Sequence, residues 1–290
     1  MRLTHFLPTA LALAGCAAAQ VAIPGLGWVF DSSAGAIRPI TGIAGAAVVG
    51  DSLELPSMQT AVIASRQGFA LAVMADDGQI RLVRLQAGAA ASVEIPGLLS
   101  YPDRILLSPG GAAAVVYERS FGRLQLVTGL PDRPQIIETH SQAAPVAVSD
   151  DGSAALEDEF PAPVAAATFR RNSPDVAAIS KTGEIFLRRD GETRQIASLA
   201  AAAVQFSSDG SQIYLAGQDG KLLILQAATG EARVLACGCA ASSLDPLNPD
   251  GLFRITEGSS APVFLFDAAA AGPRFWFVPM SASQPRGSGE

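Results

Sequence analysis

Val204-Gln205-Phe206, Ser207-Ser208-Asp209-Gly210, Gln212-Ile213-Tyr214-Leu215, Gln218-Asp219-Gly220 and Leu222-Leu223-Ile224-Leu225 follow one another along 22 residues. After Thr229-Gly230 comes a fourth short run, Arg233-Val234-Leu235. Each apolar run has strand length and ends at a turn signal. The Asp-Gly pairs suit tight turns: Gly takes positive φ without a Cβ clash, and Asp bonds its own backbone. The phrase predicts four short antiparallel strands in sequence order.

The phrase recurs. It is found at Ile105-Leu106-Leu107, Ser108-Pro109-Gly110-Gly111, Ala114–Tyr117, Phe121-Gly122, Leu124–Val127, Thr128-Gly129 and Gln135–Ile137. Another copy surrounds Gly68, with Phe69–Met74, Asp76-Asp77-Gly78 and Ile80–Leu85. A late copy runs through Asp250-Gly251, Leu252–Ile255, Val263–Phe266 and Phe275–Val278. The turn glycines set the period: 43 residues separate Gly68 from Gly111, 41 separate Gly111 from Gly152, and 41 separate Gly210 from Gly251. A repeat near 40 with four strands is the unit of a β-propeller blade.

Composition agrees. The chain has 290 residues, 49% hydrophobic and 16% charged, which supports a folded core. In a sandwich, strands with one wet face alternate apolar and polar residues. Leu222–Leu225, Val263–Phe266 and Phe275–Val278 are instead continuous apolar runs, as expected of strands covered on both faces. The Ala runs 200–203 and 268–271 suit a helix by propensity but are too short to stand as one.

The Ser-x-Asp-Gly turn, the following Gly-x-Leu-x-Leu and the closing Thr-Gly resemble the WD-repeat and TolB-like β-propeller superfamily. The resemblance covers most of residues 28–280. The signature Trp-Asp dipeptide and Gly-His pair are absent. It implies a closed ring of blades used as a rigid binding platform. The expected fold is all-β, a propeller of about seven blades, with six or eight as the alternatives.

Two of the seven units are degenerate. The Gly152 copy loses its second half, since Gly152 to Gly210 is only 58 residues and Glu157-Asp158-Glu159-Phe160-Pro161-Ala162-Pro163 stands where strands are due. The N-terminal unit has three short strands at Trp28–Asp31, Ile37–Ile40 and Ala46–Val49. Because an open ring exposes strand edges, Trp28–Asp31 or Ala46–Val49 is expected beside Phe275–Val278.

The expected organisation is a signal peptide over 1–19, a single propeller domain over 20–280 and a loose tail over 281–290. Arg2 is the only charge before Asp31, and residues 6–19 are apolar or small apart from Thr9. That is the pattern of a secretory signal, too short and interrupted for a membrane span. Two cleavage readings stand side by side. Leu13-Ala14-Gly15-Cys16 resembles a bacterial lipobox that would lipidate Cys16. Ala17-Ala18-Ala19 alternatively offers an A-x-A site before Gln20. The expected location is the periplasm, the outer membrane through a lipid anchor, or the extracellular space. Contact with membrane would come only through that lipid.

The chemistry is sparse. Net charge is −7, and the acidic balance argues against nucleic acid. Removing residues 1–15 takes away Arg2 and no acid, shifting the charge to −8 and leaving His140 as the sole histidine. No G-x-S-x-G, HExxH or P-loop is present. Cys237-Gly238-Cys239 reads as a disulfide or as two small buried thiols, with redox chemistry and metal as weaker readings. Asp150, Asp151, Glu157, Asp158 and Glu159 are a candidate Ca²⁺ set or simply solvated acids. Arg170-Arg171 and Arg188-Arg189 are either an anion-binding patch or solvating residues. Trp28, Phe275, Trp276 and Phe277 either stack sugars or pack the core near the closure.

These features together suggest a non-enzymatic, monomeric binding or scaffold module without a cofactor, with a protein or glycan partner in the bacterial envelope. The alternative is a lactonase- or hydrolase-like propeller using a divalent metal held by carboxylates.

Overall fold

The computed structural model describes residues 25–86, 89–217, 219–248, 251–256, 262–269 and 272–280. The expected signal segment over 1–19, with Cys16, and the expected tail over 281–290 lie outside these residues. Among them no helix is long and apolar enough to cross a membrane.

The chain builds successive antiparallel meanders. The first sheet holds β1 (Gly25–Asp31), β2 (Ala36–Thr41) and β3 (Val48–Val49). The second holds β4 (Met58–Ala64), β5 (Phe69–Met74), β6 (Ile80–Gln86) and β7 (Ala89–Glu94). The third holds β8 (Arg104–Leu107), β9 (Ala113–Glu118), β10 (Arg123–Thr128) and β11 (Gln135–His140). A hairpin follows, β12 (Pro145–Val148) and β13 (Ala154–Leu156). Next come β14 (Val164–Phe169), β15 (Val176–Ser180), β16 (Glu184–Arg189) and β17 (Glu192–Ser198). β18 (Ala201–Phe206), β19 (Gln212–Gly217), β20 (Lys221–Gln226) and β21 (Ala232–Ala236) form another sheet. The last is β22 (Asp245–Pro246), β23 (Leu252–Arg254), β24 (Val263–Asp267) and β25 (Arg274–Val278). The arrangement is a β-propeller.

The second strand of each full blade explains the stacking. All six residues of β5 are buried. Phe69, Leu71 and Val73 pack with Ala114 and Val116 of the third blade. Their alternates Ala70, Ala72 and Met74 pack with Ile37 and Phe30 of the first. The same division separates Ile213 and Leu215, which join Ile179 and Leu187, from Tyr214 and Ala216, which join Phe253 and Phe266. Side chains alternate across a strand, so an all-apolar strand needs a neighbour on each side. Tyr214 makes edge contacts with Phe253 and Phe266 at 5.3 and 5.4 Å. Burial pushes its phenol up to about 12, with the Asp209 charge adding to the effect.

The expected blade count is corrected. Among the described residues six sheets have three or four strands, so the ring has six blades rather than about seven. The Gly152 copy makes only the β12–β13 hairpin. Glu157–Glu159 form a 3₁₀ turn instead of a strand, and Pro161 and Pro163 have no N–H to donate to a ladder. Phe160 fills part of the space, packed with Val146, Val164 and Phe186. The Arg188 guanidinium lies 5.5 Å from its ring centroid.

Phe275–Val278 also differs from expectation. β25 is the outermost strand of its blade, and Phe277 is 56% exposed. Only Val278 among the four is fully covered. The ring closes one step further on. Val49 pairs with Met280 through a parallel bridge, its N–H donating to the Pro279 carbonyl at 3.0 Å. Val29, Ile40, Ala47 and Val49 of the first blade pack there against Val263, Leu265 and Val278 of the last.

The Ser-x-Asp-Gly turns are held by their own side chains. The Ser207 hydroxyl donates to Asp209 Oδ1 at 2.6 Å, and the Ser211 N–H donates to the same oxygen at 3.0 Å. Gly210 sits at φ 72°, the left-handed region that the turn requires. The Ser207 hydroxyl, then the Ser211 N–H and hydroxyl, hold the Asp209 carboxyl below its ordinary value of 3.8. The Ser149 hydroxyl and the Ser153 N–H do the same for Asp151.

Two outcomes follow from this architecture. Deleting residues 274–280 removes the closing bridge and the buried Val278, and is expected to cost roughly 3 kcal/mol or more in denaturant unfolding. A deletion variant with unchanged thermal stability refutes the closure. The lowered carboxyl pKa values contribute stability above the unfolded-state value, and this is lost as pH falls through the folded value. Melting temperature should therefore drop as pH falls below about 4, and drop less in Asp209→Asn.

Candidate functional site

The first strand of each of the six blades faces the ring centre, and together they line a channel. The open space is about 370 Å³. Trp28 and Phe30 come from β1, Val62 and Ile63 from β4, Ile105 and Leu107 from β8. Thr168 comes from β14, Gln205 from β18, and Asp245 with Pro246 from β22. The β12 strand contributes none of the lining residues. The cavity lies toward the end where the inner strands finish. Ser65, Arg66 and Gln67 there occupy the 3₁₀ turn after β4, and Ser108 and Pro109 the turn after β8.

Hydrogen bonds tie this lining across blades. Trp28 N–H donates to the Ser65 hydroxyl at 3.3 Å. Arg66 Nε donates to the Asn248 carbonyl at 2.8 Å. Thr168 Oγ1 donates to Gln205 Oε1 at 3.0 Å, and Phe206 N–H donates to the same oxygen at 3.1 Å. Arg254 stands opposite Asp245 in the β22–β23 register and forms an ion pair with it, while its Nη1 donates to the Thr256 carbonyl at 2.7 Å. Arg254 Nε and Ser243 Oγ are buried without a hydrogen-bond partner.

A smaller cleft adjoins the channel mouth and shares Arg66, Pro109, Gln205 and Pro246 with it. Arg171, Phe206, Ser207, Ser208 and Phe253 complete its wall. A separate open groove lies beside the truncated sector, lined by Tyr117, Phe160, Pro161, Pro163, Glu157 and Lys181.

The five carboxylates considered for calcium are engaged separately. Asp150 bridges neighbouring turns, accepting from Gly110 N–H at 2.6 Å and Asn172 N–H at 3.2 Å. Asp151 accepts within its own turn. Glu157 meets Lys181 at 3.4 Å, and Glu159 pairs with Arg188. Asp158 lies with Glu157 on the wall of the groove. Among the described residues no three His, Cys, Asp or Glu side chains converge as a metal set.

The two arginine pairs do not form one patch. Arg170 binds the Asp209 carbonyl at 3.0 Å and lies 3.6 Å from Asp175, which also receives Arg189 at 3.0 Å. Arg171 reaches the cleft instead. His140 ends β11 opposite Arg123 and is exposed, rather than lying in a loop. The Cys237 and Cys239 sulfurs lie 2.17 Å apart in the passage from β21 to β22. Of the four aromatics, Trp28 lines the channel. Trp276 packs into the closure, and Phe275 lies against Phe266 at 5.5 Å.

Sequence reading missed Arg66, Gln205, Ser243, Asp245 and Arg254. One signal was available for Gln205. Thr168 and Gln205 each precede the phenylalanine that ends an inner strand, and Asp245 holds the same place in β22, where β1, β4 and β8 carry apolar residues.

No known family model matches the chain, and no curated protein matches it. Solved structures do. A functionally unknown protein from Desulfotomaculum acetoxidans DSM 771 aligns with a TM-score of 0.57 at 12% identity, over 87% of this chain and 99% of that one. A chain of the mitotic checkpoint complex aligns with a TM-score of 0.53 at 12% identity, over 80% and 81%. A chain of a nidogen/laminin complex aligns with a TM-score of 0.50 at 12% identity, over 89% and 99%. At this identity the likeness establishes the propeller fold alone.

Proposed function

We propose that this chain is an exported bacterial propeller that works as a non-enzymatic binding module of the cell envelope, taking a protein or glycan partner at the channel mouth. The supporting observation is the channel itself: a preformed concavity in which Trp28 and Phe30 face polar groups from five other blades. Ligand sites are commonly such clefts, apolar in part with a few placed polar groups. The pattern of residues 1–19 supports export, and Cys16 is the proposed lipid site. In an oxidising compartment Cys237 and Cys239 are proposed to be bonded to each other.

A photo-crosslinking residue at Gln67, in the full-length chain expressed in its envelope, is expected to trap a discrete partner, whereas one at Val234 on the outer strand traps none. Turnover of an ester or lactone with a stoichiometric bound divalent ion, and no crosslink at Gln67, overturns the reading. A globomycin-sensitive processing step lost in Cys16→Ser checks the lipid anchor. Iodoacetamide should label neither Cys237 nor Cys239 until a reductant is added; labelling of the untreated exported protein refutes the bond.

A further inference from the structure

We infer that the channel mouth binds an oxyanion, a carboxylate or phosphate group carried by the ligand; this rests on the reading that the channel is the binding site. The argument is one of donors against acceptors. Arg254 lines the channel and Arg171 lines the adjoining cleft, and among the described residues Asp245 is the one acid lining either. Two guanidinium groups against one carboxylate, counted over the described residues, is a local inversion in a chain of net charge −7. Asp245 is already committed to Arg254.

The neutral groups point the same way. Both contacts of Gln205 use Oε1, so its amide nitrogen donates to nothing among the described residues. Arg254 Nε and Ser243 Oγ are buried donors without partners. Arg171 makes no hydrogen bond or ion pair among the described residues, unlike Arg170 beside it. Asp209, in the neighbouring turn, directs its Oδ1 to Ser207 and Ser211. Buried donors without acceptors carry a desolvation cost that an anionic oxygen would relieve. Guanidinium groups suit carboxylate and phosphate because their N–H fork matches two oxygens at once. Trp28 and Phe30 leave room for an apolar body behind the anionic head.

The test is calorimetric titration of the full chain with inorganic phosphate and, separately, with tricarballylate, using chloride as control. At least one anion is expected to bind, with affinity falling as ionic strength rises. Which one binds identifies the source of the oxygens. Arg171→Ala is expected to weaken binding about tenfold, and Arg171→Lys less. Arg233→Ala, on the exposed outer strand β21, is expected to leave affinity unchanged. Melting temperatures equal to the parent show that the variants are folded. Binding of neither anion, or equal losses in the Arg171 and Arg233 variants, overturns the inference. A discrete Gln67 crosslink alongside that failure leaves the channel reading standing and removes only the ligand class.

Discussion

The burial of single strands on both faces is the constraint from which the rest of this structure follows. A strand such as Phe69–Met74 has no wet side, so no sandwich or isolated sheet can satisfy it. Its odd and even side chains must each meet another sheet. Repetition of that demand around the chain curves the sheets into a ring, and closure at Val49 and Met280 removes the last unmatched face. The outermost strands of the four-stranded blades, β7, β11, β17, β21 and β25, are free of the demand, and four of them carry exposed apolar residues, Val93, Ile137, Val234 and Phe277.

The truncated sector shows how the ring tolerates a defect. The β12–β13 hairpin still presents apolar side chains both ways, Ala144 and Val148 beside Tyr117 and Val146 beside Val164. What is lost is the outer half, where Phe160 and the Glu159–Arg188 pair stand in for two strands. Because β12 contributes no channel-lining residue, the defect leaves a groove on the rim rather than a gap in the lining.

Acidic residues serve this architecture more than chemistry. Asp150 links the turns of two neighbouring blades, and Asp209 and Asp151 lock their own turns. Polar groups inside the channel are of another kind. Most of them project from the ends of the inner strands and the turns that follow, and two of them, Arg254 Nε and Ser243 Oγ, are buried without a partner.

The sequence by itself determined the strand order, the turn positions and the two-sided burial, because these are set within some forty residues by period-2 patterning and by the local geometry of Asp-Gly turns. It also marked the weak copy at Gly152, though counting that copy as a blade overestimated the ring by one. The convergence of Arg66, Gln205, Asp245 and Arg254 was not legible, since residues from three copies far apart in sequence meet only when the ring closes. Only the tertiary structure decided which of two adjacent arginines is spent on a neighbouring turn and which faces the cleft, because Arg170 and Arg171 differ in nothing but the direction in which the turn sends them.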